Sequence, residues 1–392
     1  MSNSPGPRNW LQRLDRLVEA RRESSLWRDM QPHGPRHAAP RPHIDLSSND
    51  YLRLSQHPHL IEAVCASARQ WGVGSASSRL VGGTLDLHHA LESRFARFKH
   101  AGAALLFPTG YMANLAVLST IPQPGDLIVL DKLCHASLID GGRLADTGGA
   151  LMRTFPHGDL NRLAHLLSEH HRVAPQASRF IVTDSVFSME GDLADLPALA
   201  ELRDAHEAAL IIDEAHATGV LGPDGRGLDA QGLADITIST ASKALGSLGG
   251  LVTGPRLVID WLVNAARPFI YTTAAMPQQV AAIDAALDVI EREPQRRARL
   301  ADVSRRVREV VAQCGVEGRM DPTPIIPIVV GSADRALALR AHLRSRHIFA
   351  PAIRPPTVPP NSSRVRLSAH CELTDEDVDC LAGALREFDW SR

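Results

Sequence analysis

Seven short apolar runs, each followed by a stretch of helical character, constrain this chain more than any other feature. They fall at residues 103–107, 127–130, 151–155, 180–183, 210–212, 236–239 and 251–253. A strand covered on one side alternates apolar and polar residues, whereas a run that is apolar throughout must be covered on both faces. Helices between such strands supply the cover. The expected fold is therefore α/β, a seven-stranded, mainly parallel sheet sandwiched by helices. Ligands of such sheets gather at the carboxyl ends of the strands. The residues just after the runs are Thr109-Gly110-Tyr111, Asp131 to His135, Asp184 to Ser188, Asp213 to His216 and Thr240 to Lys243.

The flanking segments are simpler. Trp10, Leu11, Leu14, Leu17 and Val18 have helical spacing and predict an amphipathic N-terminal helix. Four prolines and a glycine in residues 31–42 predict an irregular linker. Ser47-Ser48-Asn49-Asp50-Tyr51 reads as a turn, where a buried asparagine ordinarily bonds its own backbone. Gly72, Gly74, Gly82 and Gly83 punctuate a small-residue loop around Arg79, long enough to close over a ligand. A helix over residues 85–99 turns Leu87, Leu91, Phe95 and Phe98 to the core. Beyond the sheet, a helix from Pro277 continues past Pro294 into a strand at 325–330, a helix at 333–346, a proline-rich turn at 351–360, a strand at 364–368 and a last helix from Thr374. A chain of 392 residues exceeds one core. Three parts are expected: an N-terminal helical arm and linker over 1–45, a large domain over 46–290 and a smaller C-terminal αβ domain over 291–392.

Charge narrows the ligands. The 42 basic and 44 acidic residues nearly cancel and form no block of like sign, so neither nucleic acid nor an anionic membrane is an expected partner. The five cysteines make no closely spaced metal pair and no disulfide framework, and no metal is expected. No run of 18 apolar residues appears, and the N-terminus lacks the apolar core of a signal peptide. A soluble, cytoplasmic protein acting on small molecules is the expectation.

Among these strand ends, Lys243 stands out. Lysine occurs only at positions 99, 132 and 243, so arginine does nearly all the basic work. A lysine in a strand-to-helix loop is ordinarily solvated; one beside a buried strand is also a desolvated amine able to form a Schiff base. Asp213-Glu214-Ala215-His216 has two readings. A magnesium-holding acid box would need a phosphate loop whose lysine follows a glycine, and none of the three lysines does. The other is an acid facing a nitrogen heterocycle. Lys243 and Asp213 together point to pyridoxal 5'-phosphate, whose site pairs a Schiff-base lysine with an acid at the pyridinium nitrogen. Gly110-Tyr111 opens a helix whose amides suit the phosphate, with hydroxyls from Thr240 and Ser242. His135 offers a flat ring for stacking, although a lone histidine is more often structural. The glycines after Lys243 would let backbone approach the cofactor closely.

These residues resemble the α-oxoamine synthases, fold-type I pyridoxal-phosphate enzymes, over residues 11–390. The matching stretches are Ser48-Asn49-Asp50-Tyr51-Leu52, Gly110-Tyr111-Met112-Ala113-Asn114, His135-Ala136-Ser137, Val186 through Asp192, Asp213 through Gly219 and Thr240 through Ala244. The resemblance implies that Lys243 holds the cofactor, Asp213 faces its ring nitrogen and His135 stacks on it. It implies that Ser188 and His216 contact the region of the 3-hydroxyl, and that Thr240, Gly110 and Tyr111 bind phosphate. A second subunit's Thr272 or Thr273 also reaches the phosphate, so a homodimer is implied. Ala352 through Pro359 resembles the branch that condenses L-alanine with a pimeloyl thioester, on CoA or carrier protein; a branch using glycine or serine with another acyl-CoA is the alternative. Asn49, Arg354 and Thr357 are implied at the amino-acid substrate. Arg28, with Arg21 and Arg22 also open, is implied at the acyl donor.

Overall fold

The computed structural model describes residues 9–30, 43–316 and 320–391; the expected linker at 31–42 lies outside them. A short strand, β1 (Ile44–Asp45), comes first. The main sheet follows: β2 (Ala103–Phe107), β3 (Leu127–Asp131), β4 (Leu151–Phe155), β5 (Arg179–Asp184), β6 (Ala209–Asp213), β7 (Ile236–Thr240) and β8 (Gly250–Gly254). Their spatial order is β2-β8-β7-β6-β5-β3-β4. Every pairing from β7 to β4 is parallel, while β8 runs antiparallel to both β2 and β7. The seven apolar runs are thus the seven strands. β2, β3, β5 and β7 are buried at every residue. β4 forms an edge, and there Leu151, Arg153 and Thr154 are exposed, a charge on the rim that discourages further pairing.

Helices Gly110–Thr120, Ala136–Thr147, Leu160–Val173 and Leu196–Ala205 make the crossovers. Side chains alternate between the faces: Ile128 and Leu130 pack with Val117 and Leu138 on one side, Leu127 and Val129 with Leu163 and Leu199 on the other.

Helices Pro277–Arg292 and Pro294–Gln313 lead to the small domain. Its strands are β9 (Ile325–Gly331), β10 (Ile348–Phe349), β11 (Ala352–Ile353) and β12 (Ser363–Ser368), with β11-β12-β9 antiparallel. Helices Ala333–Ser345 and Asp375–Arg386 cover them, the latter capped by Thr374. β1 pairs in parallel with β10, and the Ser368 and Cys371 amides donate to the Leu46 and Tyr51 carbonyls at 2.8 and 2.9 Å. Residues 44–51 are therefore stitched to the small domain, which brings Asn49 and Tyr51 to the boundary between the lobes. One core crosses that boundary, with Leu52, Phe95 and Ile283 in the same cluster as Ile326, Leu339 and Leu367.

Two segments differ from expectation. The loop around Arg79 does not hang free: Arg79 donates through both Nη atoms to Glu92 at 2.8 and 3.0 Å, and Ser78 bridges Thr273. The arm helix, Asn9–Glu23, buries none of its residues, so Trp10, Leu11, Leu14 and Leu17 all face outward. Among the described residues, no helix is long and apolar enough to cross a membrane.

Candidate active site

The carboxyl ends of β3, β5, β6 and β7 converge on a cavity of about 240 Å³, into which Lys243 projects. Parallel register accounts for much of this, since Asp184 and Asp213 are paired positions on β5 and β6. Asp213 is buried, and both its oxygens are engaged: Oδ1 accepts the Ala215 amide at 2.8 Å and Oδ2 the Asn114 side-chain amide at 2.7 Å. Asn114 also donates to Ser137 Oγ at 2.8 Å, while its own Oδ1 is buried without a partner. That orphaned acceptor fits a site built for a further polar group.

Thr109 caps the helix Gly110–Thr120, its hydroxyl accepting the Met112 amide at 3.2 Å and its carbonyl the Ala113 amide at 3.2 Å. The Gly110 and Tyr111 amides form no hydrogen bond among the described residues, and both residues line the cavity. Thr240 closes this corner: its Oγ1 lies 2.9 Å from Ser242 Oγ and donates to the Gly249 carbonyl at 3.0 Å. A Cβ at Gly110 would sit 3.1 Å from that same oxygen, so glycine keeps the cradle open. Two unpaired amides at a helix start, with two hydroxyls beside them, are the donor set of a phosphate site.

His135 caps the helix Ala136–Thr147. Its backbone amide donates to Asp184 Oδ2 at 2.8 Å, and its Nδ1 lies 2.7 Å from Ser137 Oγ. Burial, reinforced by the Lys243 charge, lowers its pKa although Asp213 opposes the shift, which favours the neutral ring. His216 is likewise pushed well down, chiefly by burial and then by Lys243 and Arg366; its Nδ1 is 2.7 Å from Tyr51 OH. Burial raises the Asp184 pKa well above the usual carboxylate value, and Asp213 adds to the rise. Burial lowers the Lys243 pKa against the pull of Asp213 and Asp184, which favours the neutral, nucleophilic amine.

Arg366 on β12 escaped the sequence reading. It is buried, and Nε donates to the Ser188 carbonyl at 2.6 Å, Nη1 to Asn49 Oδ1 and Ser368 Oγ at 3.1 Å each. Among the described residues, Nη2 has only Tyr51 OH, at 3.5 Å. Arg366, Ser188 and Asn49 do not themselves line the cavity, but the Arg366 charge acts on Lys243 and His216, and Ser188 and Asn49 are tied to that guanidinium. Asn114 was likewise missed as a site residue, whereas Asp184 was among the strand-end residues expected there but was given no role.

Five expected residues lie elsewhere. Arg354 does not line the Lys243 cavity; its guanidinium donates to the Ser25 carbonyl and, at 3.0 Å, to the Trp27 carbonyl. Arg28 Nη2 meets the Pro355 carbonyl and Thr357 Oγ1, both at 3.3 Å, so Arg28 and Thr357 share that second locality. Thr272 and Thr273 do not line their own chain's cavity. Among the glycines after Lys243, Gly246 (φ +64°) lies against Leu54 and Ser55, and Gly250 against Thr109 and Gly110, so both serve close backbone packing.

A desolvated lysine, an anchored acid, a histidine ring and an amide cradle around one cavity define a pyridoxal-phosphate enzyme. The model of the family described as aminotransferase class I and II matches residues 41–385. The chain is 46% identical over 352 residues to an 8-amino-7-oxononanoate synthase of Gluconacetobacter diazotrophicus, covering 88% of this chain and 87% of that one. It is 41% identical to one of Pseudomonas putida, covering 95% and 96%. Among solved structures, serine palmitoyltransferase from S. paucimobilis with a pyridoxal-phosphate adduct bound superposes with a TM-score of 0.88, at 26% identity over 97% of this chain and 98% of that one. The chain belongs to the class I and II aminotransferase family, on its 8-amino-7-oxononanoate synthase branch.

Proposed function

We propose that the protein condenses L-alanine with a pimeloyl thioester to 8-amino-7-oxononanoate, carbon dioxide and the free thiol, a step of biotin synthesis. The carrying observation is the buried Lys243, its pKa lowered, lining one cavity with Asp213 and His135 in a chain that is 41–46% identical to synthases of that name. The cofactor, bound through Lys243, supplies an electron sink for the carbanion formed at the alanine α-carbon.

The chain's own groups do the rest. Lys243 Nζ, displaced by the substrate amine, accepts the α-proton and returns a proton after decarboxylation. Asp213, fixed by Asn114 and Ala215, holds its charge toward the ring nitrogen. His135 covers the ring face, and Thr240, Ser242, Gly110 and Tyr111 hold the phosphate. Arg366, supported by Ser188 and Asn49, orients the alanine carboxylate through Nη2. Arg354 and Thr357 act instead with Arg28 at the acyl donor. In this reading a homodimer completes each site, with Thr272 or Thr273 reaching across to the partner's phosphate; the outward apolar stripe of the arm helix supports such an assembly.

The test is thiol release measured across alanine, glycine and serine with several acyl-CoAs. Alanine with pimeloyl-CoA is expected to lead. Preference for glycine with a short acyl group would move the protein to another branch, and consumption of a 2-oxo acid without thiol release would make it an aminotransferase.

A further inference from the structure

Tyr51 places a buried hydroxyl where the two lobes meet, and none of the tasks assigned to Lys243, Asp213, His135 or Arg366 uses it. The residue is 1% exposed, and the Cys371 amide of the small domain donates to its carbonyl at 2.9 Å. Three polar atoms surround the hydroxyl: His216 Nδ1 at 2.7 Å, Asn49 Oδ1 at 3.2 Å and Arg366 Nη2 at 3.5 Å. His216 follows β6 in the large domain and lines the Lys243 cavity, whereas Arg366 lies on β12 in the small one. A single phenol therefore bridges a ring of the cavity and a guanidinium of the other lobe.

The geometry places the protons on this bridge. Burial raises the Tyr51 pKa, with the charge and hydrogen bond of Arg366 opposing, so the phenol keeps its one proton. Burial lowers the His216 pKa, and the charges of Lys243, Arg366 and His135 add to the fall, which favours a neutral imidazole with one N–H. Hydroxyl donors approach their acceptors to about 2.7–2.8 Å, and N–H donors to about 2.9–3.0 Å. At 2.7 Å the contact has the spacing of the Tyr51 hydroxyl donating to Nδ1. Asn49 Oδ1 is farther off and already accepts from Arg366 Nη1 at 3.1 Å. With Nδ1 an acceptor, the imidazole proton sits on Nε2. Nε2 makes no hydrogen bond among the described residues, so its N–H is left for a group inside the cavity.

We propose that Tyr51 is a positioning residue for the reaction: by donating to Nδ1 it fixes His216 as an Nε2–H donor to the cofactor's ring oxygen beside the Lys243 Schiff base. The inference rests on the cofactor reading of the Lys243 cavity. That His216 meets the cofactor near its 3-hydroxyl belongs to the family resemblance; the tautomer, and the residue that sets it, are read from this structure. A donor at that oxygen competes with the protonated Schiff-base nitrogen for the same lone pairs. It therefore favours the deprotonated Schiff base and lowers the pH at which the yellow absorption titrates. Arg366 donates into the Tyr51 oxygen, and a hydroxyl that accepts a hydrogen bond gives a stronger one. The donor at His216 is thus set from the small lobe.

The test is a pH titration of the yellow absorption of the cofactor-loaded protein, with no acyl donor present. Tyr51→Phe keeps the ring and its packing and removes only the hydroxyl, and the thermal midpoint checks that the fold is retained. The titration midpoint is expected to rise by about one to two pH units, the worth of one hydrogen bond to a charged group. In a His216→Asn background the same Tyr51→Phe change is expected to add no further shift, because the group it acts through is gone. A purely structural role for the phenol would give equal shifts in both backgrounds. An unmoved or lowered midpoint in Tyr51→Phe, or a rise undiminished by His216→Asn, overturns the proposal. Thiol release plays no part in the measurement, so the expected shifts in a protein that condenses nothing would sink the proposed reaction and leave the Tyr51 assignment standing.

Discussion

Arg366 and Arg354 compete for one role, the grip on the amino-acid carboxylate, and the structure gives the contest a magnitude. A guanidinium has five N–H donors. In Arg366, Nε is spent on Ser188 and both Nη1 protons on Asn49 and Ser368, while among the described residues Nη2 has only a 3.5 Å contact with Tyr51. Nη2 is the part left for a substrate. One charge-assisted hydrogen bond is worth about 1.5–3 kcal/mol, so Arg366→Gln should lower kcat/KM for alanine by roughly 10- to 150-fold. Arg366→Lys keeps a charge but cannot hold Ser188, Asn49 and a carboxylate together, and should recover little. The assay is steady-state thiol release with alanine varied at saturating acyl-CoA, after cofactor absorbance has shown both variants loaded. Arg354→Gln is the control, expected to alter the acyl-donor KM and not that of alanine. Unchanged alanine kinetics in Arg366→Gln, together with a raised alanine KM in Arg354→Gln, would refute this placement.

Other outcomes follow from the same contacts. Lys243→Ala should lose the borohydride-sensitive yellow absorption, and an equally yellow variant would remove the central assignment. Asp213→Asn can keep the Asn114 contact only by giving up acceptance from the Ala215 amide, and it loses the charge; kcat should fall by about a hundredfold or more while cofactor stays bound, read by turnover beside an absorbance titration. His157 lies between Asp131 at 3.1 Å and Asp192 at 2.9 Å, and hydrogen bonds to them raise its pKa from 6.5 to about 10. A raised pKa stabilises the fold fully below 6.5 and progressively less as pH climbs through 10, by at most on the order of 5 kcal/mol. The thermal midpoint gap between the parent and His157→Gln should therefore be widest near pH 6 and shrink toward pH 10.5; a gap independent of pH would count against the charged pair. Lys99→Met strands the Glu214 carboxylate that Lys99 contacts, both being buried, at a cost of about 3–5 kcal/mol. Adding Glu214→Leu should recover much of that in a thermal-shift measurement, and no recovery would place the loss in packing.

The fold was legible because burial on both faces erases alternation, and that erasure is visible in residues. Even β4, exposed along much of its length, kept enough apolar character to be read. Arg366 was hidden by the converse pattern. Val365 and Leu367 alternate with Arg364 and Arg366 along β12, which in sequence is the signature of a strand with one wet face. In the structure β12 is buried at all six positions, because the loop bearing Ser188, Met189 and Glu190 covers the arginine face. The pairing of those two segments is long-range, and nothing local announces it. Asn114 was masked differently, as one polar residue among the apolar side chains of the helix Gly110–Thr120, where it reads as an interruption rather than as the link to Asp213.

That link explains why acid and ring arrive together. Asn114 Nδ2 donates to Asp213 Oδ2 and also to Ser137 Oγ. With its oxygen accepting from Asn114, the single Ser137 hydroxyl proton points to His135 Nδ1, 2.7 Å away, which also accepts the Ser137 amide at 3.3 Å. His135 Nδ1 is thereby an acceptor twice over, and the imidazole proton must sit on Nε2. The lowered pKa of His135 agrees, since protonating Nδ1 would set two donors face to face. Four side chains from three strand-to-helix junctions thus form one hydrogen-bond chain, running from the Asp213 carboxylate to the His135 ring, both of which line the cavity. The chain fixes the position of the acid and the tautomer of the histidine at once. A change at Ser137 or Asn114 therefore disturbs both, without touching Lys243.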